Sequence, residues 1–220
     1  MGLGIEIRSR IARRAAQEIS DGMIVNLGIG IPSLVADFLE DKKNVMIQAE
    51  NGVLGIGKSP AKGLEDENLC NAGGYPVTVC KGSSYFDSSI AFGMIRKGYI
   101  DMTILGALQV SEKGDLANWI VPGKIVPGMG GAMELAQKAK KVVVLMNHVT
   151  KKGEPKIMET CTLPLTSKAC VQLIITDRAV IEVTNEGLVL TGIMSPFTVE
   201  EVIRSTAAPL KIRKEIEVIF

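Results

Sequence analysis

What most restricts the fold of this chain is a succession of short apolar runs, each four to six residues long and separated from the next by turn or helix signals. Met23 to Leu27, Asn44 to Ala49, Met102 to Leu105, Val142 to Met146 and Val171 to Thr176 have the length of strands and almost no polar side to turn toward water. Such strands are usually covered on both faces, as in a parallel sheet with helices on each side. Helix signals fall between them. Ile5 to Ile19 has Ile11, Ala15 and Ile19 at helical spacing, and Pro32 to Leu39 opens with proline where its missing N–H costs nothing. Ser88 to Lys97 closes on Gly98, Ala132 to Lys140 ends in lysines, and Thr198-Val-Glu-Glu201 is a capping box. Val77 to Cys80 is a further strand, while Ala179 to Val183 and Leu188 to Leu190 form a hairpin over Asn185, Glu186 and Gly187. Residues 23 to 49 make one βαβ unit, and the whole predicts an α/β fold with a mixed, mainly parallel open sheet flanked by helices. No internal repeat or Pro/Gly/Ser-rich linker divides the chain, so residues 1–220 read as a single domain.

The lone histidine, His148, removes several chemistries. Zinc sites with paired histidines are excluded, Cys70, Cys80, Cys161 and Cys170 form no CxxC pair, and no structural metal is expected. A serine triad is disfavoured by the single histidine and the absence of a Gly-x-Ser-x-Gly elbow. The four cysteines read as reduced core residues of a cytoplasmic protein, and His148 as a hydrogen-bonded structural residue. A net charge of +1 and nine aromatic residues argue against nucleic-acid binding. No apolar run is long enough to cross a membrane, and the arginine-rich start reads as an amphipathic helix rather than a transit peptide.

Glycine clusters at Gly28-Ile-Gly30, Gly52 to Gly57, Gly73-Gly74 and Gly123 to Gly131. Gly73-Gly74 reads as a turn. The other three follow strands, where glycine lets backbone N–H groups approach a ligand. Gly28-x-Gly30-x-x-Ser33, with Glu50 twenty residues beyond Gly30, approximates a dinucleotide-binding fingerprint, but Ser33 replaces the third glycine and Pro32 stiffens the turn. In Gln48-Ala-Glu50-Asn-Gly52 a carboxylate leaves a buried strand directly into an Asn-Gly turn, where an unpaired charge would cost several kcal/mol of desolvation. Pro127-Gly-Met-Gly130-Gly131 leads into a helix and could stabilise an oxyanion, or serve only as a connector.

Five runs together resemble the B subunit of family I coenzyme A transferases: Asn26 to Pro32, Glu50 to Gly55, Leu116 to Gly123, Gly128 to Met133 and Cys161 to Thr166. The resemblance covers about residues 8 to 210 and is strongest to the 3-oxoacid, or acetoacetate, group. It implies that family's fold, with Glu50 as a nucleophile that attacks an acyl-CoA thioester, passes through an acyl-glutamyl anhydride and becomes a glutamyl-CoA thioester. Carboxylates are ionised at neutral pH, so no general base or metal is required. By the same resemblance Gly131 supplies an oxyanion-hole N–H and Asn26 lines the pocket, with Gly28, Gly30, Asn51 and Gly130 as further substrate-binding residues. The substrates would be succinyl-CoA or acetyl/butyryl-CoA and a short-chain 3-oxo acid such as acetoacetate. No cofactor is implied beyond coenzyme A entering as substrate, and the partner would be a separate A subunit in an A2B2 hetero-oligomer. Ala49, Glu134 and Asn147 stand where the family usually has Ser, Asp and Glu. Two alternatives remain: an NAD-binding module using Gly28, Gly30 and Glu50, and an acyl-CoA hydrolase in which water captures the same glutamyl intermediate.

Overall fold

The structure is a computed structural model and describes residues 4–123, 126 and 128–220. Its strands are β1 Ile24–Leu27, β2 Met46–Ala49, β3 Val53–Ile56, β4 Val79–Tyr85, β5 Met102–Gly106, β6 Gln109–Ser111 and β7 Leu116–Ala117. They continue with β8 Lys141–Met146, β9 Ile157–Met158, β10 Leu173–Thr176, β11 Ala179–Thr184, β12 Gly187–Met194 and β13 Leu210–Ile219. The α-helices are α1 Ile5–Ala16, α2 Ser88–Arg96, α3 Ala132–Lys138 and α4 Val199–Arg204, with a 3₁₀ helix at Pro32–Phe38. One sheet carries ten strands in the order β13-β12-β11-β10-β8-β5-β1-β2-β3-β4, and β7-β6-β9 form a second, small sheet. The centre, β2-β1-β5-β8-β10, is wholly parallel. Antiparallel pairings begin on either side, at β2 with β3 and at β10 with β11. The mixed, mainly parallel sheet expected from the apolar runs is therefore present.

Successive side chains along each central strand go to opposite cores, which is why these strands read as continuous apolar runs. Val142, Val144 and Met146 of β8 join the core containing Ile95 of α2 and Leu135 of α3. Val143 and Leu145 join the other, with Ile11, Ala12 and Ala15 of α1. The α1 helix follows its predicted period, and α4 has the capping box in full: Thr198 Oγ1 accepts from the Glu201 N–H, and the Thr198 N–H donates to the Glu201 carboxylate.

Several expectations are corrected. Gly52 to Gly57 is not a loop throughout: it contains β3, which turns back on β2 and pairs with β4. A Cβ at Gly55 would stand 3.0 Å from Ser83 on β4, so this glycine permits close approach of two strands. The expected strand Val77 to Cys80 becomes β4, shifted toward Tyr85 and exposed at the edge of the sheet. The segment after Pro32 is 3₁₀ rather than α-helical. Cys70 and Cys80 are exposed rather than core residues, while Cys170 is buried and Cys161 lies between. No helix among the described residues is long and apolar enough to cross a membrane.

His148 follows β8 and is buried, as a structural histidine should be. Its Nε2 lies 3.0 Å from Thr206 Oγ1 and its Nδ1 2.9 Å from Thr176 Oγ1, so both ring nitrogens have a hydroxyl partner. Burial, reinforced by the charges of Arg178 and Lys156, pushes its pKa down to about 3. Burial likewise lowers Lys156 to about 8, though Asp177 opposes it; the Lys156 Nζ donates to the Ala107 carbonyl at 3.0 Å. Between pH of about 3 and about 6.5 the unfolded chain binds a proton at this histidine that the folded one does not. Its contribution to stability is thus complete above about 6.5 and falls by up to roughly 1.4 kcal/mol per unit as the pH drops toward 3. Urea unfolding at pH 7 and pH 5 should show a smaller stability loss for His148→Gln than for wild type, and an equal loss would contradict this account.

Candidate active site

Glu50 comes directly after β2, at the carboxyl end of the parallel strands, where open α/β sheets place their ligand crevices. The residue is half-buried. One carboxylate oxygen, Oε2, accepts a hydrogen bond from Asn26 Nδ2 at 3.1 Å. Asn26 belongs to β1 and is 0% exposed, and the parallel register sets it beside Gln48 of β2 and Thr103 of β5. Gln48 and Thr103 are also fully buried. The Asn26 Nδ2 reaches Gln48 Oε1 at 2.8 Å and the Gln48 carbonyl at 3.1 Å. Thr103 Oγ1 donates to Asn26 Oδ1 at 3.5 Å, and Gln48 Nε2 donates to the Ala91 carbonyl of α2 at 3.5 Å. A row of polar side chains thus crosses three strands of an apolar sheet and ends on the Glu50 carboxylate.

The other oxygen, Oε1, faces Gly131: a Cβ built on Gly131 would lie 3.4 Å from it and 3.4 Å from the Phe92 ring. The Gly128 to Met133 motif therefore meets the Glu50 motif in space. Arg96 of α2 holds this approach in place with two 2.8 Å hydrogen bonds to Glu134, in the first turn of α3. Its guanidinium also lies 5.7 Å from the Phe92 ring centroid. These bonds from Arg96 hold the Glu134 carboxyl below the usual carboxylate range. Pro127, named in the same motif, lies outside the described residues, as do 124 and 125.

The Asn51-Gly52 turn aims the carboxylate. Gly52 has φ +111°, donates to the Ala49 carbonyl at 3.1 Å and accepts from the Phe86 N–H at 2.9 Å. A Cβ there would stand 2.0 Å from the Phe86 oxygen, so no other residue fits. Asn51 is exposed and donates its side-chain N–H to the Cys70 carbonyl at 2.9 Å, which ties down a neighbouring loop.

The glycines of the first motif split in role. The Gly28 N–H donates to the Ile104 carbonyl at 2.8 Å, so it is committed to the sheet and does not face a ligand. Gly30, at φ +94°, lies in a turn whose carbonyl accepts from Ser33 Oγ, and Gly130, at φ +53°, precedes α3 with open space around it. The NAD reading needed a free Gly28 N–H and a regular helix after the loop; neither is present. A cavity of about 290 Å³ opens beside Gly30, lined by Leu27, Ser33, Ala49, Asn71 and Tyr75 among others. A larger groove of about 590 Å³, at the amino ends of β8 and β10, is lined by Arg14, Glu18, Lys141, Glu182 and Arg213. Most of its charges are paired with one another, Glu18 with Arg14 and Lys141, and Glu182 with Arg213.

The profile of the coenzyme A transferase family matches residues 8–205. The chain belongs to the coenzyme A transferase family. It is an enzyme component of that type, 66% identical over 212 residues to the beta subunit of a probable coenzyme A transferase of Bacillus subtilis (strain 168), covering 96% of this chain and 98% of that one. It is 52% identical over 211 residues to the B subunit of a probable succinyl-CoA:3-ketoacid coenzyme A transferase of the same organism, covering 96% and 98%. Among solved structures, the acyl-CoA transferase YdiF of Escherichia coli O157:H7, a thioester complex with CoA, superposes with a TM-score of 0.75 at 19% identity. That match covers 97% of this chain and 43% of YdiF, and it establishes a shared fold.

Sequence reasoning missed Gln48, Thr103, Phe92 and Arg96 around the Glu50 carboxylate. The first two carried a readable signal, since each is a polar residue inside a run otherwise fit for a core. Ala49, where the family usually has Ser, faces away from Gln48 and packs with Val53, Ile56 and Val77.

Replacing Gly52 by Ala should destabilise the protein by roughly 2 to 4 kcal/mol, because the turn must open to relieve the contact with Phe86. Urea unfolding tests this, and a stability within about 0.5 kcal/mol of wild type would contradict it.

Proposed function

We propose that this chain is the catalytic B subunit of a 3-oxoacid coenzyme A transferase, moving coenzyme A between succinyl-CoA or acetyl/butyryl-CoA and a short-chain 3-oxo acid such as acetoacetate. The observation that carries the reading is the Glu50 carboxylate at the sheet's carboxyl edge, with Oε2 bound by Asn26 and Oε1 turned toward Gly131. Glu50 attacks the thioester carbonyl of the acyl-CoA, forming an acyl-glutamyl anhydride and releasing the CoA thiolate. The thiolate attacks the glutamyl carbonyl, leaving a glutamyl-CoA thioester and the first carboxylate product. The incoming 3-oxo acid then attacks that thioester through its carboxylate, forming a second anhydride and again releasing the thiolate. Attack of the thiolate on the acyl carbon yields the new acyl-CoA and restores Glu50. The Gly131 N–H acts as an oxyanion donor; donors of this kind are worth about 10² to 10³ in rate. Asn26 orients the nucleophile.

Both relatives are named as beta or B subunits, and this supports a separate A subunit, with an A2B2 assembly as the proposed form. Ile29, Tyr75 and Ile90, apolar and more than half exposed on the Gly30 loop, the loop before β4 and α2, suit a face that a partner covers. Initial rates of the enzyme assembled with its A subunit should give parallel double-reciprocal lines, the ping-pong pattern. Glu50→Gln should lower kcat by about 10³-fold or more. Intersecting lines, or a Glu50→Gln variant that still turns over, would overturn the mechanism. CoA release that needs no acid acceptor would reassign the protein as a hydrolase.

A further inference from the structure

We propose that Gln48 and Thr103 are positioning residues of the transfer reaction, setting the Asn26 side-chain amide so that its N–H, and not its carbonyl, meets Glu50. The proposal rests on the role of Glu50 argued above and extends it to two buried residues that act on the carboxylate through Asn26.

The two ends of an asparagine amide have nearly the same shape, so packing alone does not choose between them; hydrogen-bond partners do. With the amide reversed, Oδ1 would face the Glu50 carboxylate and two acceptors would repel. Gln48 selects the orientation of the group, and Thr103 completes it by donating to Oδ1. Gln48 Oε1, 2.8 Å from Asn26 Nδ2, and the Gln48 carbonyl, 3.1 Å from it, can only accept, whereas the Thr103 hydroxyl, 3.5 Å from Oδ1, donates to it in this orientation. The Gln48 amide is ambiguous in the same way, and the Ala91 carbonyl of α2 fixes it by accepting from Nε2. All three side chains are 0% exposed, so water does not satisfy a reversed amide. The register of β1 with β2 and β5 places the three at one level, so the orientation of Asn26 is written into the strand pairing. A carboxylate whose partner can turn over spends part of its time misdirected, and small misplacements of reacting groups are costly in rate.

The test uses the enzyme assembled with its A subunit. Gln48→Leu should lower kcat about 10- to 100-fold and Thr103→Val about 3- to 10-fold, with KM for acyl-CoA within about twofold of wild type. Thr103→Ser should restore kcat to within about twofold of wild type. Thr103→Val exchanges a hydroxyl for a methyl of equal shape, so it carries the test should Gln48→Leu fail to fold. It removes the donor to the buried Asn26 Oδ1, so its Tm should fall by a few degrees, while the lost turnover falls on kcat and leaves KM unchanged, a split that lost stability alone would not give. Wild-type kcat in Thr103→Val, a loss that Thr103→Ser does not restore, or a loss carried by KM rather than kcat, would overturn the proposal. Glu50→Gln is measured in parallel: turnover by it would overturn the role of Glu50 and this proposal together. A dead Glu50→Gln beside a fully active Thr103→Val would overturn the positioning role alone.

Discussion

An amide buried between parallel strands must find all its partners inside the sheet, and in this protein Asn26 does so while also reaching the carboxylate just beyond β2. That one side chain couples the register of β1 to the direction of Glu50. A slip of one residue between β1 and β2 would send Asn26 to the opposite face and leave Gln48 and Glu50 without it. The flanking apolar cores hold the register, so the burial of Val142 to Met146 and its neighbours serves the site as well as stability. The Gly52 turn and the Arg96–Glu134 clamp complete the geometry from outside the sheet, one aiming the carboxylate and the other bringing Gly131 to it.

The central strands and the α1, α2 and α4 helices were legible because each is determined locally: apolar runs for β1, β2, β5, β8 and β10, helical spacing for α1, a capping box for α4. The strands that escaped are those whose pairing is decided at a distance. In β3, Gly55 breaks the apolar run, and its glycine is explained only by Ser83 on a strand almost thirty residues away. In β13, Lys211, Arg213, Lys214, Glu215 and Glu217 give a charged edge strand with no core-like signature, held by parallel pairing to β12. The sheet of β6, β7 and β9 uses strands of two or three residues, too short for any period to register.

The site shows the same division. Glu50, Asn26 and Gly131 were found from motifs, and they converge. Gly28, grouped with them by the same glycine signal, proved to be a packing residue, since a sequence does not reveal whether a backbone N–H is already spent on a neighbouring strand. Gln48 and Thr103 escaped because a single polar residue in a strand means little until the register sets it beside another. His148, the one residue a catalytic search would seize first, is neutral and hydrogen-bonded in the interior. A shared fold at 19% identity does not choose a reaction, so the chemistry rests on Glu50 and its surroundings.

The central claim is that sulfur becomes bonded to the Glu50 carbonyl midway through each cycle. Incubating the assembled enzyme with acyl-CoA and no acceptor acid, then mapping the protein by mass spectrometry, tests it most directly. The expected result is a coenzyme A thioester on the peptide carrying Glu50, discharged when the 3-oxo acid is added. An unmodified Glu50 peptide in an enzyme that transfers coenzyme A, or an adduct on another residue, would contradict it.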